Sequence, residues 1–301
     1  MVSAFRSHPI VALGMLHRNR NEFDFVVSLI RNPEFDATVN NIEIECANSL
    51  YQPLLDRYIA GEDVPLGQLR AVWRNTTQQF FCEADPSTKV LLDTVRAVNR
   101  NRPKGHGIRV LAADPPIEWT KIRTTDQLVP FMARRNLANI VVDQVLSKHE
   151  NALLLIGGNH LFRHHSRYGG GLPTLTELLE RRSPHSTYVI MPHDFDQGNA
   201  ELDRRLATWP VPSIAKLSMT WVGSLDASVE ATDLYLVSNP SKPVRMFPGL
   251  HLQDLADAYL YLGPFSALRW IELREPTDPA FLRELQRRRS LFPGRAKRVA
   301  P

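Results

Sequence analysis

The chain has 301 residues, 43% hydrophobic and 23% charged, with a formal net charge of +4. That is the make-up of a globular protein long enough to bury a large core. No apolar run reaches the ~20 residues of a membrane-spanning helix, and no apolar leader with a cleavage site precedes the first strand, so the sequence as it stands predicts a cytoplasmic location with no membrane span.

In chain order, apolar periodicity alternates between strand and helix. A strand over His8–Leu13 runs into a Gly14–His17 turn. A helix over Asn21–Arg31 follows, striped by Phe23, Val26, Leu29 and Ile30. The stretch 32–40 reads as loop. Asn41–Ala47 is a second strand, with Glu43 and Glu45 on one side and Ile42, Ile44 and Cys46 on the other. Cys46 and Cys82 are the only cysteines. Neither sits in a C-x-x-C pair, and Cys46 reads as a buried structural thiol. Helices are predicted at Ser49–Ala60, stopped by Gly61, and at Leu66–Trp73. The polar stretch 74–86 reads as irregular. A helix over Ser87–Asn101 turns Val90, Leu91, Thr94, Val95 and Val98 inward. Strand Ile108–Ala113 ends in Asp114-Pro115-Pro116, and a helix over Gln127–His149 leads to strand Ala152–Ile156. Beyond it, strands are predicted at Thr187–Met191, Leu217–Val222, Leu234–Val237 and Ala258–Leu262. Helices are predicted at Leu175–Arg182, Ala200–Ala207 and Pro279–Arg289.

Repeated strand–helix alternation predicts an α/β fold, a mostly parallel central sheet flanked by helices. No linker composition divides the chain. The expectation is one large domain over 1–301, with a motif-bearing core at about 8–165, a less regular stretch over 166–290 and a basic tail over 291–301. Arg287, Arg288, Arg289, Arg295, Lys297 and Arg298 lack interleaved aromatic residues. They read as a solvated helix end and tail, without a nucleic-acid partner.

Chemistry-bearing side chains gather at predicted strand ends: His17; Glu43 and Glu45; Asp114 and Glu118; Asn159, His160 and Arg163; His193, Asp194 and Asp196. A parallel sheet puts these ends on one edge, where ligands bind. The sharpest signal is a repeat. VALGMLH and LLLIGGNH are each a buried strand followed by G-x-x-H, ending at His17 and His160. Glu45 lies in an apolar strand, and a buried carboxylate needs a partner or a task. The prolines after Asp114 hold a strand-end carboxylate rigidly. Arg134 and Arg135 are placed to clamp an anion or to pair with Glu45. His164 and His165 read as loop residues. There is no G-x-S-x-G elbow, P-loop or G-x-G-x-x-G.

Two chemistries fit this set. In one, His17, Glu45 and His160 hold a divalent metal ion that activates water. In the other, His17 is a general base oriented by Glu45 or Asp114. Arg135 or Arg163 would stabilise the developing oxyanion in either case. Both describe a hydrolase of ester or peptide bonds acting on a small-molecule or peptide substrate. A histidine-lined crevice with Met15 beside His17 also suits a haem- or metal-binding protein without turnover.

The paired G-x-x-H units, with Glu45 between them, resemble the Tiki/TraB/ChaN-like superfamily, with erythromycin esterase as a more distant relative. The likeness is best over about Pro9–Arg163. DPPIEW (Asp114–Trp119) and ARRN (Ala133–Asn136) look like motifs of an uncharacterised bacterial branch. The chain departs from the pattern at Met15 and Asn136, where relatives often carry acids. The resemblance implies an α/β fold. It also implies an activity from a range covering metal-dependent proteolysis, haem binding and antibiotic ester hydrolysis, or a member whose catalytic set has decayed.

Overall fold

The computed structural model describes residues 1–103, 107–132, 135–165, 172–193, 200–227 and 247–292. Seven strands form one sheet: β1 (Ile10–Met15), β2 (Asn41–Asn48), β3 (Arg109–Asp114), β4 (Ala152–Gly157), β5 (Thr187–Pro192), β6 (Ser213–Lys216) and β7 (Ala258–Tyr261). Their order is β3-β2-β4-β1-β5-β7-β6. Every pairing is parallel except β6 with β7. This is the α/β architecture expected, and β5, β7 and β6 extend the sheet that the first half begins.

β1 and β4 lie at the centre and read as unbroken apolar runs because both faces of a parallel sheet are covered. Their alternation divides the core in two. Val11, Leu13, Leu153 and Leu155 pack with Val26 and Ile30 of the Arg20–Ile30 helix, Leu55 of Gln52–Ile59, and Leu92 and Val95 of Ser87–Asn99. Ile10, Ala12, Leu154 and Ile156 pack on the other face with Ala138 and Val141 of Arg135–Gln144 and Leu179 of Leu175–Arg182. No helix among the described residues is long and apolar enough to cross a membrane.

Several local expectations need correction. The stretch 32–40 holds a helix, Pro33–Thr38. Asn32 caps it by accepting from Glu34 N–H, and Pro33 occupies the first turn, where its missing donor costs nothing. The stretch 74–86 holds another, Gln79–Ala84. The long helix expected over Gln127–His149 is broken. Thr125–Leu128 and the 3-10 turn Val129–Met132 precede Arg135–Gln144, and Pro130 cannot donate within a helix interior. Val90 faces solvent rather than the core. Leu217–Val222 is not a strand: 3-10 turns at Leu217–Met219 and Trp221–Ser224 occupy it, and the strand is β6, just before. The expected strand Leu234–Val237 lies outside the described residues. Cys46 is not a free thiol but is bonded to Cys82, with a Cα–Cα distance of 5.4 Å.

The glycines of the repeated motif answer a packing need. A Cβ on Gly14, in β1, would lie 2.9 Å from the Cα of Gly158, just past β4. Backbone cannot yield there as a side-chain tip can. Gly14→Ala is expected to destabilise the fold by about 1–3 kcal/mol, the usual cost of overpacking. A urea denaturation midpoint unchanged from wild type would refute this account of the motif.

Glu43 is fully buried in β2, in register with Leu111 of β3 and Leu154 of β4. Among the described residues neither carboxyl oxygen has a hydrogen-bond partner. Burial holds its pKa well above the ordinary glutamate value.

Candidate functional site

β2, β4 and β1 are consecutive in the sheet. The middle strand ends at Gly157, which has no side chain, so its neighbours reach over it from both sides. His17 follows β1. Glu45 lies where β2 shifts register between Ile44 and Asn48, an irregularity that takes its side chain out of the regular ladder. His160 ends the 3-10 turn Gly158–His160. A methyl on Gly157 would sit 3.3 Å from both Glu45 Oε2 and His17 Nε2, and 3.6 Å from His160 Cδ2. Three residues separated by up to 143 positions thus surround one bare backbone atom.

Glu45 is held on both oxygens. The Gly157 N–H donates to Oε2 at 2.7 Å, and Gln78 Nε2 donates to Oε1. His160 Nε2 lies 3.7 Å from the same Oε1. The His17 ring meets Phe81 edge to face, with centroids 4.8 Å apart.

Asp114 stands one step back. Thr77 N–H donates to its Oδ2 at 2.9 Å and the Thr77 hydroxyl to its Oδ1 at 2.5 Å. It therefore fixes the Thr77–Gln78 turn, and Gln78 fixes Glu45. Burial pushes the Asp114 pKa well up, the Thr77 bonds oppose that, and the nearby Glu45 charge adds to it. The disulfide ties the same segment down again, because Cys82 lies on the Gln79–Ala84 helix and Cys46 is Glu45's neighbour.

His17, Glu45, Asp114 and His160 all line one cavity of about 840 Å³, with Asn159 and several aromatic rings. Arg163 and Arg135 do not line it. Arg163 reaches the other way, with Nη2 2.6 Å from Asp257 Oδ2 and 2.7 Å from the Thr187 carbonyl. Arg135 is exposed at the start of its helix. Glu118 is half-buried and pairs with Lys121. His193 is buried between Tyr259 and Asp203, and burial lowers its pKa. His165 pairs with Glu177 in its loop. Arg134, Asp194 and Asp196 lie outside the described residues.

His17, Glu45 and His160 are also the metal-ligand set read from the sequence. Among the described residues no three histidine, cysteine, aspartate or glutamate side chains are arranged to hold an ion. Each Glu45 oxygen accepts one hydrogen bond, which leaves a lone pair on each. The geometry offers a general-base arrangement, two imidazoles on either side of a fixed carboxylate. Thr77 and Gln78 went unnoticed in the sequence. Their only mark was a run of hydroxyl and amide side chains before Phe80-Phe81, without an ionisable group.

No protein-family model matches the chain, and no curated protein does. Solved structures do. A succinoglycan biosynthesis protein aligns with 87% of this chain and 89% of its own, at TM-score 0.61 and 9% identity. A Bacillus cereus protein aligns with 91% of this chain and 94% of its own, at TM-score 0.56 and 10% identity. An erythromycin esterase mutant in its open conformation aligns with 87% of this chain and 92% of its own, at TM-score 0.53 and 11% identity. At such identities the likeness is one of fold. It is the fold that the resemblance to the erythromycin-esterase relatives implied.

Proposed function

We propose that the chain is a hydrolase of ester or peptide bonds and that His17 is its general base. The observation that carries the reading is the convergence of His17, Glu45 and His160 over Gly157 in the wall of one cavity. His17 takes a proton from water as the water oxygen attacks the substrate carbonyl. The Glu45 carboxylate stabilises the imidazolium that forms. The bond to the leaving group then breaks, and His160 supplies the proton that the leaving atom needs. Asp114, Thr77 and Gln78 position Glu45. A cavity of this size suits a small molecule or a short peptide end. The test is hydrolysis of a panel of chromogenic esters and peptides by wild type and by His17→Ala and His160→Ala. A substrate whose turnover both variants leave unchanged would overturn the proposal, and inactivity on the whole panel would favour a decayed member of the superfamily.

A second reading has its own observation. His17 sits with Met15 and Phe81 in a cavity rich in aromatic rings, which suits a flat apolar ligand such as haem, and His17 would supply it a nitrogen donor. Haem added to the protein is then expected to shift its Soret band, and His17→Ala to abolish the shift. An unshifted band would remove this reading.

The disulfide bears on where the protein works. Such bonds persist in oxidising compartments, and a cytoplasmic location agrees with this chain only with Cys46–Cys82 reduced. The formed bond supports an oxidising location.

A further inference from the structure

Three arginines end the Pro279–Ser290 helix, and they serve different ends. Arg287 is spent inward. It pairs with Glu284 at 2.6 Å and donates to the Ile122 and Trp119 carbonyls. Arg288 is buried, pairs with the same glutamate at 2.8 Å and donates to the Arg74 carbonyl and Asn75 Oδ1. Arg289 is exposed and lines the cavity that holds His17 and Glu45. Its guanidinium lies over the Phe80 ring, 4.7 Å from the centroid. Among the described residues it has no acidic partner.

The cavity is therefore polarised. Its two carboxyl groups, Glu45 and Asp114, lie at the buried end. Its arginine lies at the exposed rim. Between them run Phe80, under Arg289, and Phe81, against His17. A negatively charged ligand group is repelled by the carboxyl end and attracted by the rim. The planar guanidinium offers the paired donors that match a carboxylate or phosphate. The rings between supply an apolar surface, where water is displaced and the attraction is less screened.

We propose that Arg289 reads a carboxylate or phosphate on a ligand whose apolar body lies over Phe80 and Phe81. The ligand class is an anionic amphiphile, bound with its charge at the rim and its other end beside His17. This goes beyond the hydrolase reading and does not depend on it, because binding rather than turnover is the quantity measured.

The test is calorimetric titration of the full chain with decanoate, decyl phosphate and decanol, all below their micelle concentrations. Either anion is expected to bind wild type about tenfold more tightly than decanol, which corresponds to about 1.4 kcal/mol. The tighter of the two names the headgroup. Arg289→Gln, at an exposed position, is expected to close that gap, whereas Arg283→Gln, exposed on the same helix and outside the cavity lining, leaves it open. Three results would overturn the proposal: equal affinity of wild type for the anions and decanol, a gap that survives Arg289→Gln, or no binding of any of the three probes.

Discussion

Glu43→Leu is expected to make the protein more stable at pH 8, by roughly 1–3 kcal/mol, the cost of burying a polar group without a partner. The wild-type glutamate stands in register with Leu111 and Leu154, and among the described residues both its oxygens are unpartnered. Burial raises its pKa, so the folded state holds a proton that the unfolded chain releases at ordinary glutamate values. The sign follows from that difference. Below the unfolded pKa of 4.5 both states are protonated, and the contribution to stability is fully present. As pH rises beyond it, the folded state binds more protons than the unfolded one. Stability then falls by up to about 1.4 kcal/mol per pH unit until the folded carboxyl ionises. Asp114 contributes a slope of the same sign, so the informative quantity is the difference between wild type and variant. Urea denaturation at pH 5 and pH 8 measures it. A variant that is less stable than wild type at pH 8, or that keeps the wild-type slope, would contradict a buried neutral acid. Glu43 precedes Glu45 by two positions on one strand, so activity measured in parallel separates a burden on the fold from a service to the site.

The second large effect falls on catalysis. Removing a general base that acts in the transition state costs about 10²–10⁴-fold in rate. His17→Ala is expected to lose that much kcat/KM on any ester the protein turns over, and His160→Ala a comparable amount. Because the two imidazoles act over one glycine, the double variant is expected to fall little below the worse single variant. Losses that multiply across the pair would mean that the two histidines act independently, and the shared site would have to be abandoned. Denaturation midpoints for each variant keep misfolding apart from lost chemistry.

The parts of the fold legible in the sequence were those whose signal is local and periodic. β1 and β4 stood out because a strand buried on both faces must be apolar throughout. The G-x-x-H units stood out because glycine is the residue that lets Gly14 and Gly158 approach and leaves room above Gly157. Glu45 was visible as a charge that an apolar strand does not carry idly. The rest depended on contacts between distant positions. Asp257, 94 residues on from Arg163, draws that side chain away from the cavity, and nothing near Arg163 announces it. The Cys46–Cys82 bond spans 36 residues and bears no spacing signature. Gln78 holds the central carboxylate with a neutral amide, so a search for ionisable groups passes over it.

The wall that carries Thr77 to Cys82 is fastened three times over: by Asp114 to Thr77, by Glu45 to Gln78, and by a covalent bond beside Glu45 itself. That side of the cavity moves only with the sheet. Trp270, which also lines the cavity and is exposed, is tied differently, by a bridge to Asn19 just past β1. The Thr77–Cys82 wall is a fixed anvil against which a ligand would be seated.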